Sequence, residues 1–414
     1  MATVIPFRGL RPNPTLVTNV ASPPYDVLDS EEARDLAHEN PHSFLHVIKP
    51  EIDLPPDTDP YEDSVYEKGA ENLQQFRNNY VLLQDEEPCF YLYQQIMGDH
   101  VQIGFVGCAS VDDYMQGTIK KHEHTRPVKV NDRVKLMRAL NAQTGPVFLA
   151  YRQEPDMAEL VDTLLQKSLK VYDFTSFYDV RHIFYKVDDA GLNQRIQTAF
   201  AERPALYIAD GHHRSEGASV FCQQKRQEVE DYDGSEAFNY FLTVIFPHND
   251  LYIFPYNRVV KDLNGLSTQE FLNKLSHAFQ VEKTENFAGV SIPKTYGLYV
   301  DNSWYVLSAK YESYDDTDAV KRLDVAILQH QVLGPILNIE DPRTDKRIDF
   351  IGGIKGDAEL KKLVDSGKYK VAFSLYPTRM EDVMDVADAG EVMPPKSTWF
   401  EPKLLSGLVT HLLD

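Results

Sequence analysis

The segment ALYIADGHHRSEGA, residues 205–218, contains the residue types and spacing best suited to chemistry. Its first residues predict a short buried strand that ends at Asp210, Gly211 permits a tight turn, and a helix is expected just beyond. Free backbone N–H groups and the positive end of the helix then face one spot, which suits a phosphate group. Arg214 adds a planar fork of donors that binds phosphate oxygens with paired hydrogen bonds.

Other side chains of this segment extend the predicted site. Asp210 can hold a magnesium ion or accept a proton, and His212 and His213 can donate hydrogen bonds to phosphate oxygens. Together with Gly211 and Arg214, the two histidines form the predicted nucleotide-binding turn. The alternative is structural: Asp210 caps the helix and the histidines lie on the surface.

A second candidate is the stretch KKHEHTRPVKVNDR, residues 120–133, which concentrates cations in a chain of net charge −21. Such a concentration favours a loop that faces an anion, although a solvated run of charge explains the pattern equally well. On physical grounds we assign Glu123 a catalytic role and expect His124, Thr125 and Arg133 to bind the substrate.

The histidines of this stretch also permit a metal site. In an extended chain His122 and His124 share one face, and a pair with this spacing can bind zinc. A zinc site needs three or four ligands, and only distant residues such as Asp210 or His212 would complete it. A metal-dependent hydrolase that uses His122, His124 and Asp210 therefore stays as an alternative.

The carboxyl-terminal segment GEVMPPKSTWFEPKLLSGL is similar to a phosphate-binding loop but departs from it at a decisive position. Pro395 occupies the place of the second glycine, and because proline removes an N–H and fixes φ, the phosphate cradle of a P-loop cannot form. A P-loop NTPase is excluded. Side chains can still supply donors to a phosphate, and the candidates are Lys396, Ser397, Thr398 and Lys403. The alternative is a tail that only packs through its aromatic and leucine side chains.

A stiff loop near the amino terminus presents one carboxylate. In SPPYDVLDSEE two prolines restrict the chain just before Asp26, and a helix is expected to begin near Ser30. A carboxylate aimed by a stiff loop suits a general base, although the same pattern is common in simple turns.

Helical and strand periodicities alternate along the whole chain, which predicts a mixed α and β (α+β) fold. A hairpin is expected at Gly98-Asp99, a short strand near residues 17–21, and a second hairpin with its turn at residues 247–250. A domain boundary near the second hairpin gives a nucleotide and substrate domain over residues 1–236 and an α+β domain over residues 237–414.

The composition restricts the partners and the compartment. With 42 Lys and Arg against 63 Asp and Glu, the net charge of −21 disfavours nucleic acid and anionic membranes as partners. The three cysteines form no CxxC pair or disulfide framework. No apolar run reaches the ~18 residues that a membrane span requires. We therefore expect a cytoplasmic protein whose partners are small molecules.

Five motifs occur in an order that resembles the family of ATP-dependent free serine kinases, formerly described as a domain of unknown function. They are PPYDVL, HEHT followed by DR and NAQTGPVF, LYIADGHHR, NRVV and PPKSTWFEPKLLSGL. The family is similar to the ParB and sulfiredoxin superfamily, and the resemblance extends over nearly the whole chain. It implies a ParB-like amino-terminal half and a carboxyl-terminal α+β half whose tail returns to the active site.

The resemblance implies an enzyme that transfers the γ-phosphoryl group of ATP to the hydroxyl of free L-serine, with Mg²⁺ as cofactor. In ParB-like kinases a D-G-H-x-R loop sits at the nucleotide phosphates, which matches Asp210, Gly211, His212 and Arg214 here. An acidic residue of the first loop acts as the base in the family, and Asp26 is the matching position. A non-catalytic nucleotide sensor is the second alternative.

Overall fold

The computed structural model describes residues 1–414, except for the side chain of Tyr178, and it divides into two compact units. Unit 1 contains Met1–Leu251 and Pro402–Asp414, and unit 2 contains Tyr252–Glu401. The division expected between residues 236 and 237 falls before a strand, Tyr240–Pro247, that pairs within the main sheet of unit 1. The last residues of the chain thus belong to the unit that holds the amino terminus.

Helices and strands alternate along the chain. The α-helices are α1 (Val17–Val20), α2 (Ser30–Ala37), α3 (Leu45–Ile48), α4 (Asp63–Asn78), α5 (Val111–Gln116), α6 (Pro127–Leu140), α7 (Pro155–Lys167), α8 (Ala190–Ala201), α9 (His212–Glu228), α10 (Thr268–Leu275), α11 (Asp324–Leu328), α12 (Gly356–Asp365) and α13 (Met380–Asp388). The β-strands are β1 (Val4–Ile5), β2 (Leu10–Pro12), β3 (Leu82–Gln84), β4 (Phe90–Met97), β5 (His100–Ser110), β6 (Ile119–Lys120), β7 (Ala142–Gln143), β8 (Val147–Tyr151), β9 (Leu169–Thr175), β10 (Arg181–Val187), β11 (Leu206–Asp210), β12 (Tyr240–Pro247), β13 (Tyr252–Phe254), β14 (Tyr256–Val260), β15 (Phe279–Thr284), β16 (Thr295–Val300), β17 (Ser303–Ala309), β18 (Ile348–Gly352), β19 (Val371–Leu375), β20 (Trp399–Glu401) and β21 (His411–Leu412).

The main sheet of unit 1 has the strand order β6-β11-β8-β12-β5-β4-β10-β9, with β1 added beside β5. The pairs β6 with β11 and β8 with β12 are parallel, whereas the other pairs are antiparallel. Strands β4 and β5 form the predicted hairpin, with Met97 opposite His100. This mixture of helices with parallel and antiparallel strands confirms the predicted α+β class.

Aromatic side chains form much of the core beside this sheet. Phe105 of β5 meets Phe200 of α8 edge to face, with ring centroids 5.2 Å apart, and Tyr151 of β8 approaches the same ring at 6.0 Å. All three side chains are buried. Each buried aromatic side chain removes roughly 150–250 Å² from water, so this cluster fixes α8 against the centre of the sheet.

A close contact between two helices positions the candidate residues of unit 1. Gly217 of α9 lies against α6, since a Cβ atom there would be 3.1 Å from Arg133 Cβ and 3.2 Å from Met137 Cε. The missing side chain lets the two helices approach closely, and Arg133 therefore lies beside the first turns of α9.

Two local expectations are wrong. Residues 17–20 form a short helix instead of a strand, because Val17 and Val20, spaced three apart, are both buried. The hairpin expected at residues 247–250 does not form either: β12 pairs with β5 and β8, and β13 pairs with β20. Both sets of partners lie far away in sequence, where local periodicity gives no signal.

Unit 2 is built on a second sheet, with strand order β15-β17-β16-β19-β14-β18 and antiparallel pairs throughout. A small cluster of buried side chains, including Val259, Tyr299 and Leu360, packs α12 onto it. None of the helices that the structure describes in either unit is long and apolar enough to cross a membrane.

Candidate active site

The candidate turn folds as a strand, a glycine and a helix. β11 ends at Asp210, and Gly211 caps α9 with a φ of +100°. An L side chain is strained at that φ, and a Cβ atom at Gly211 would lie 3.1 Å from Arg214 Nε. Gly211 therefore lets the chain turn while the arginine lies against it. The first N–H groups of the 17-residue helix have no acceptor within the helix and carry its positive dipole end.

Arg214 is a nearly buried guanidinium with unused hydrogen-bond donors. Its Nη1 donates to the Pro146 carbonyl. Its Nη2 lies 3.7 Å from both Asp26 Oδ2 and Asp210 Oδ1, and its buried Nε has no hydrogen-bond partner in the described part of the chain. Burial alone would lower the pKa of Arg214, but the two carboxylates raise it. A charged group with unused donors is suited to receive an anion.

Lys403 brings a second cation to the same turn. Its Nζ lies 3.0 Å from Asp210 Oδ2, and its backbone carbonyl accepts a hydrogen bond from Gln95 Nε2 at 2.9 Å. Burial favours a raised pKa for Asp210, but Lys403 and Arg214 hold that pKa well below its ordinary value. Asp210 is therefore ionised and binds cations, and it is a weak acceptor for a proton.

The proline loop presents Asp26 beside Arg214. Ser22 and Ser406 exchange backbone hydrogen bonds of 3.0 and 2.9 Å, which ties the loop to the last segment of the chain. The Tyr25 ring lies 3.8 Å from the Arg133 guanidinium carbon. The Asp26 side chain is 38% exposed and the Asp210 side chain 31%, but Asp210 is also bound by Lys403. A substrate that enters this site can reach the Asp26 carboxylate.

A pocket lies between this loop, α6 and α9. Two arginines and several uncharged groups line it, among them Tyr25, Arg133, Thr144, Gly145 and Arg214. Apolar side chains complete its wall, including Leu136, Met137 and Phe241. A pocket that combines cationic donors with apolar surface suits a small organic anion.

The candidate histidines contact one another instead of forming an open row of donors. His212 is buried, its Nε2 accepts the backbone N–H of His122 at 3.4 Å, and its Nδ1 lies 3.8 Å from Glu123 Oε2. His213 Nε2 accepts the Arg126 N–H at 3.0 Å. Burial lowers the pKa of both His212 and His213. Each neutral ring then carries its proton on Nδ1, so each has one donor left.

The zinc site considered from sequence gains no support. The His122 and His212 rings meet edge to face with centroids 4.4 Å apart, and His122 is buried. Within the described residues, no group of three or more His, Cys, Asp or Glu side chains is arranged to hold a metal ion. His124 and Thr125 lie in the loop between β6 and α6.

Three carboxyl-terminal candidates lie in unit 2. Lys396 has a φ of +56°, and its Nζ lies 3.5 Å from the Tyr256 hydroxyl. Ser397 is buried and donates to the Pro394 carbonyl at 2.5 Å, while Thr398 begins the approach to β20. Lys396 and Ser397 thus make these contacts with residues of unit 2 itself.

Comparison with known protein families shows to which family the chain belongs. The family described as "Protein of unknown function (DUF1015)" matches residues 4–326. The chain belongs to this family. The match includes the turn at Asp210–Arg214 and ends before Lys396. It confirms the expected family without assigning an activity, and no curated protein matches the chain in sequence.

Solved structures give distant similarities to this DUF1015 chain. A free serine kinase in complex with AMP is 14% identical, with 70% of this chain and 85% of that chain covered and a TM-score of 0.34. SbnI with a C-terminal truncation from Staphylococcus aureus is 11% identical, with 73% and 86% covered and a TM-score of 0.38. A conserved hypothetical protein from Pyrococcus furiosus is 15% identical, with 70% and 88% covered and a TM-score of 0.31.

Several groups of the site were missed by sequence reasoning. The Pro146 carbonyl holds Arg214 Nη1, Tyr25 supports Arg133, and Asp132 receives two hydrogen bonds from Arg133. The sequence shows Asp132 beside Arg133 in the NDR triplet and a glycine-proline pair at 145–146. Neither pattern predicts which residues Arg133 and Arg214 contact.

Proposed function

We propose that this DUF1015 protein is a small-molecule kinase that transfers the γ-phosphoryl group of ATP to the hydroxyl of free L-serine. The observation that carries the proposal is the guanidinium of Arg214. It is nearly buried, its Nε has no acceptor among the described residues, and it lies against the start of a helix. Phosphate oxygens supply the acceptors that this group lacks.

On the phosphate side, Gly211, Arg214 and the first N–H groups of α9 bind the β- and γ-phosphates in this proposed reaction. The Nδ1 donors of His212 and His213 add neutral hydrogen bonds. Lys403 supplies a point charge and keeps Asp210 ionised.

On the acceptor side, Asp26 is the proposed base. The serine Oγ attacks the γ-phosphorus, its proton passes to the Asp26 carboxylate, and the bond to the bridging oxygen breaks to release ADP. Asp26 is preferred to Asp210, because Lys403 and Arg214 depress the pKa of Asp210. Glu123 is a second candidate, since its carboxylate faces His212.

Serine also carries a carboxylate that the site must recognise. Arg133 lines the pocket together with Arg214, so two cations border the same space. Two of its nitrogens bind Asp132, which leaves Nη1 for a substrate carboxylate. His124 and Thr125 are the remaining candidates for substrate binding.

The residues present also fit a magnesium ion. Mg²⁺ in kinases is held by one or two carboxylates together with phosphate oxygens and water, so a complete protein cage is not needed. Asp210, whose Oδ1 lies 3.7 Å from Arg214 Nη2, is the candidate ligand, and Asp26 is kept for the proton. Bound there, Mg²⁺ would neutralise charge on the transferred phosphoryl group.

The test is a screen for acceptors. Purified protein is mixed with ATP, Mg²⁺ and one compound at a time: L-serine, D-serine, L-threonine, L-homoserine, ethanolamine and glycerol. Products are followed by ³¹P NMR, with ATP alone as the blank. We expect O-phospho-L-serine and ADP in equal amounts. ATP consumption that is independent of every acceptor, or no consumption, would overturn the proposal.

A further inference from the structure

Asp132 is a buried carboxylate with every oxygen engaged, and the proposed chemistry does not use it. Its Oδ1 accepts the Tyr66 hydroxyl at 3.0 Å. Its Oδ2 accepts Arg133 Nε at 3.0 Å and Nη2 at 2.6 Å. Hydrogen bonds of this kind between charged groups are among the strongest in proteins, so the pair is held firmly.

These contacts fix the plane of the Arg133 guanidinium. Two of its three nitrogens bind one Asp132 oxygen, and its Cζ atom lies over the Tyr25 ring, 3.8 Å from the ring centre. Arginine stacks on aromatic faces through its planar, weakly hydrated charge. The position of Tyr25 therefore depends on the orientation that Asp132 gives to Arg133.

Tyr25 directly precedes Asp26, so whatever holds the ring also holds the carboxylate. Three residues before Tyr25, Ser22 pairs with Ser406 through two backbone hydrogen bonds, and two prolines stiffen the chain between Ser22 and Tyr25. The loop is thus held at Ser22 and at Tyr25, and the next side chain, Asp26, pairs with Arg214 at 3.7 Å.

We infer that Asp132 and Tyr66 are positioning residues for Asp26, acting through the Arg133–Tyr25 stack. Tyr66 belongs to α4 and Asp132 to α6, so these two helices together hold the loop that carries Asp26. Its catalytic meaning rests on the proposed function, whereas the mechanical coupling does not. A base displaced by about 1 Å costs on the order of 10² in rate.

Two kinds of variant distinguish the contribution of the Arg133–Tyr25 stack from that of the Asp132 charge. Asp132→Asn removes the charge that holds Arg133, and Tyr25→Leu removes the ring. Tyr25→Phe keeps the ring and loses only the hydroxyl. Asp173→Asn is the matched control, because Asp173 pairs with Arg181 at the edge strand β9.

Kinetics give the first readout. With serine and ATP, we expect Asp132→Asn and Tyr25→Leu to lower kcat by roughly 10- to 100-fold while KM for ATP changes by less than about threefold. The kcat of Tyr25→Phe should exceed that of Tyr25→Leu by about tenfold. The kcat of Asp173→Asn should equal that of the wild type. Equal rates for Tyr25→Phe and Tyr25→Leu would overturn the inference.

Amide hydrogen exchange gives a readout that does not depend on activity. We expect faster exchange at residues 25–28 in Asp132→Asn and Tyr25→Leu, but not in Tyr25→Phe. If the wild type makes no phosphoserine, the proposed function fails and exchange alone decides the coupling. If Asp132→Asn does not fold, the two Tyr25 variants decide it. Unchanged exchange at residues 25–28 in Tyr25→Leu would overturn the inference.

Discussion

Asp26 and Asp210 approach the same guanidinium but differ in their other partners. Asp210 also binds Lys403, which with Arg214 holds its pKa low, whereas Asp26 is more exposed and has Arg214 alone as its ion-pair partner in the described structure. The two carboxylates are therefore suited to different tasks: Asp210 organises cations, and Asp26 is available for a proton.

Asp26→Asn should depress turnover and leave ATP affinity nearly unchanged. Asparagine keeps the size of the side chain but cannot accept a proton, and a general base contributes roughly 10²–10⁴-fold. A loose phosphoryl-transfer transition state demands little from its base, so the loss should lie toward the lower end. The measurement is kcat with serine, together with ATP affinity from calorimetry.

Glu123→Gln and Asp210→Asn are measured in the same assay. The Asp26 assignment requires the largest loss of kcat without loss of ATP affinity in Asp26→Asn. If that variant keeps turnover within about threefold of the wild type, too little for a general base, the role moves to the carboxylate whose replacement costs most.

The strand, glycine turn and helix start expected at Asp210–Arg214 are present, whereas the anion-binding role of these residues stays a prediction. Asp210, Gly211 and Arg214 share one strand, turn and helix start, and their types alone indicated an anion site. The partners of Arg133 could not be found this way. Tyr66 and Asp132 are separated by 66 residues and meet only because α4 packs on α6.

At the scale of elements, Gly211→Ala tests whether the backbone turn at Gly211 is needed for ATP binding as well as for stability. The new Cβ would meet Arg214 Nε at 3.1 Å and would occupy a φ of +100°. We expect a stability loss of roughly 1–3 kcal/mol and a weaker binding of ATP. Stability is measured by urea unfolding and ATP affinity by calorimetry.

Gly98→Ala is the matched control for that experiment. Gly98 also has a positive φ, +59°, but a Cβ there meets nothing within 4 Å. It should lose stability from backbone strain and keep its ATP affinity. Equal ATP affinity in Gly211→Ala and Gly98→Ala would show that the turn at Gly211 is not part of the ATP-binding site.

The elements that sequence predicted best are those whose partners are close in the chain. Gly98 marks the β4–β5 hairpin, and the buried alternation on either side fixes its register. The strand β12 is recognisable by composition, but its neighbours β5 and β8 lie about 100 residues or more away, so its sheet position was not predictable. The same holds for β13 and β20.

At the scale of the whole molecule, the last segment of the chain completes unit 1. Lys403 meets Asp210 across 193 residues of sequence, and Leu412 pairs with Ala142. Long-range closure of this kind depends on the complete fold, which is why motif spacing alone could not assign Lys403 a partner.

A buried ion network elsewhere in unit 1 gives stability a specific dependence on pH. Asp85 accepts Arg11 Nε at 2.6 Å, the Tyr91 hydroxyl at 2.6 Å and Lys186 Nζ at 2.9 Å. Burial acts to raise the pKa of Asp85, but these partners lower it to about 2. Because the folded pKa lies below the unfolded value, this stabilisation is present above about pH 4 and is lost toward pH 2.

Asp85→Asn should therefore destabilise the protein at pH 7 by roughly 3–5 kcal/mol, since it leaves Arg11 and Lys186 without their carboxylate. The difference in the free energy of unfolding between variant and wild type should decrease by about 1 kcal/mol at pH 3, because Asp85 of the unfolded wild-type chain takes up a proton there. The measurement is the free energy of unfolding in urea at pH 7, 5 and 3. A difference that stays constant with pH would contradict the assigned network.

Calorimetry of ATP binding to Arg214→Ala tests whether the turn at Asp210–Arg214 binds the phosphates of a nucleotide. Arg138→Ala is the matched control, because Arg138 is exposed and pairs with Glu228. Loss of hydrogen bonds to a charged group predicts a weakening of about 1.5–3 kcal/mol for Arg214→Ala. Arg138→Ala should bind ATP like the wild type. Equal ATP affinity in Arg214→Ala and the wild type, with both proteins folded, would show that this turn does not bind the nucleotide.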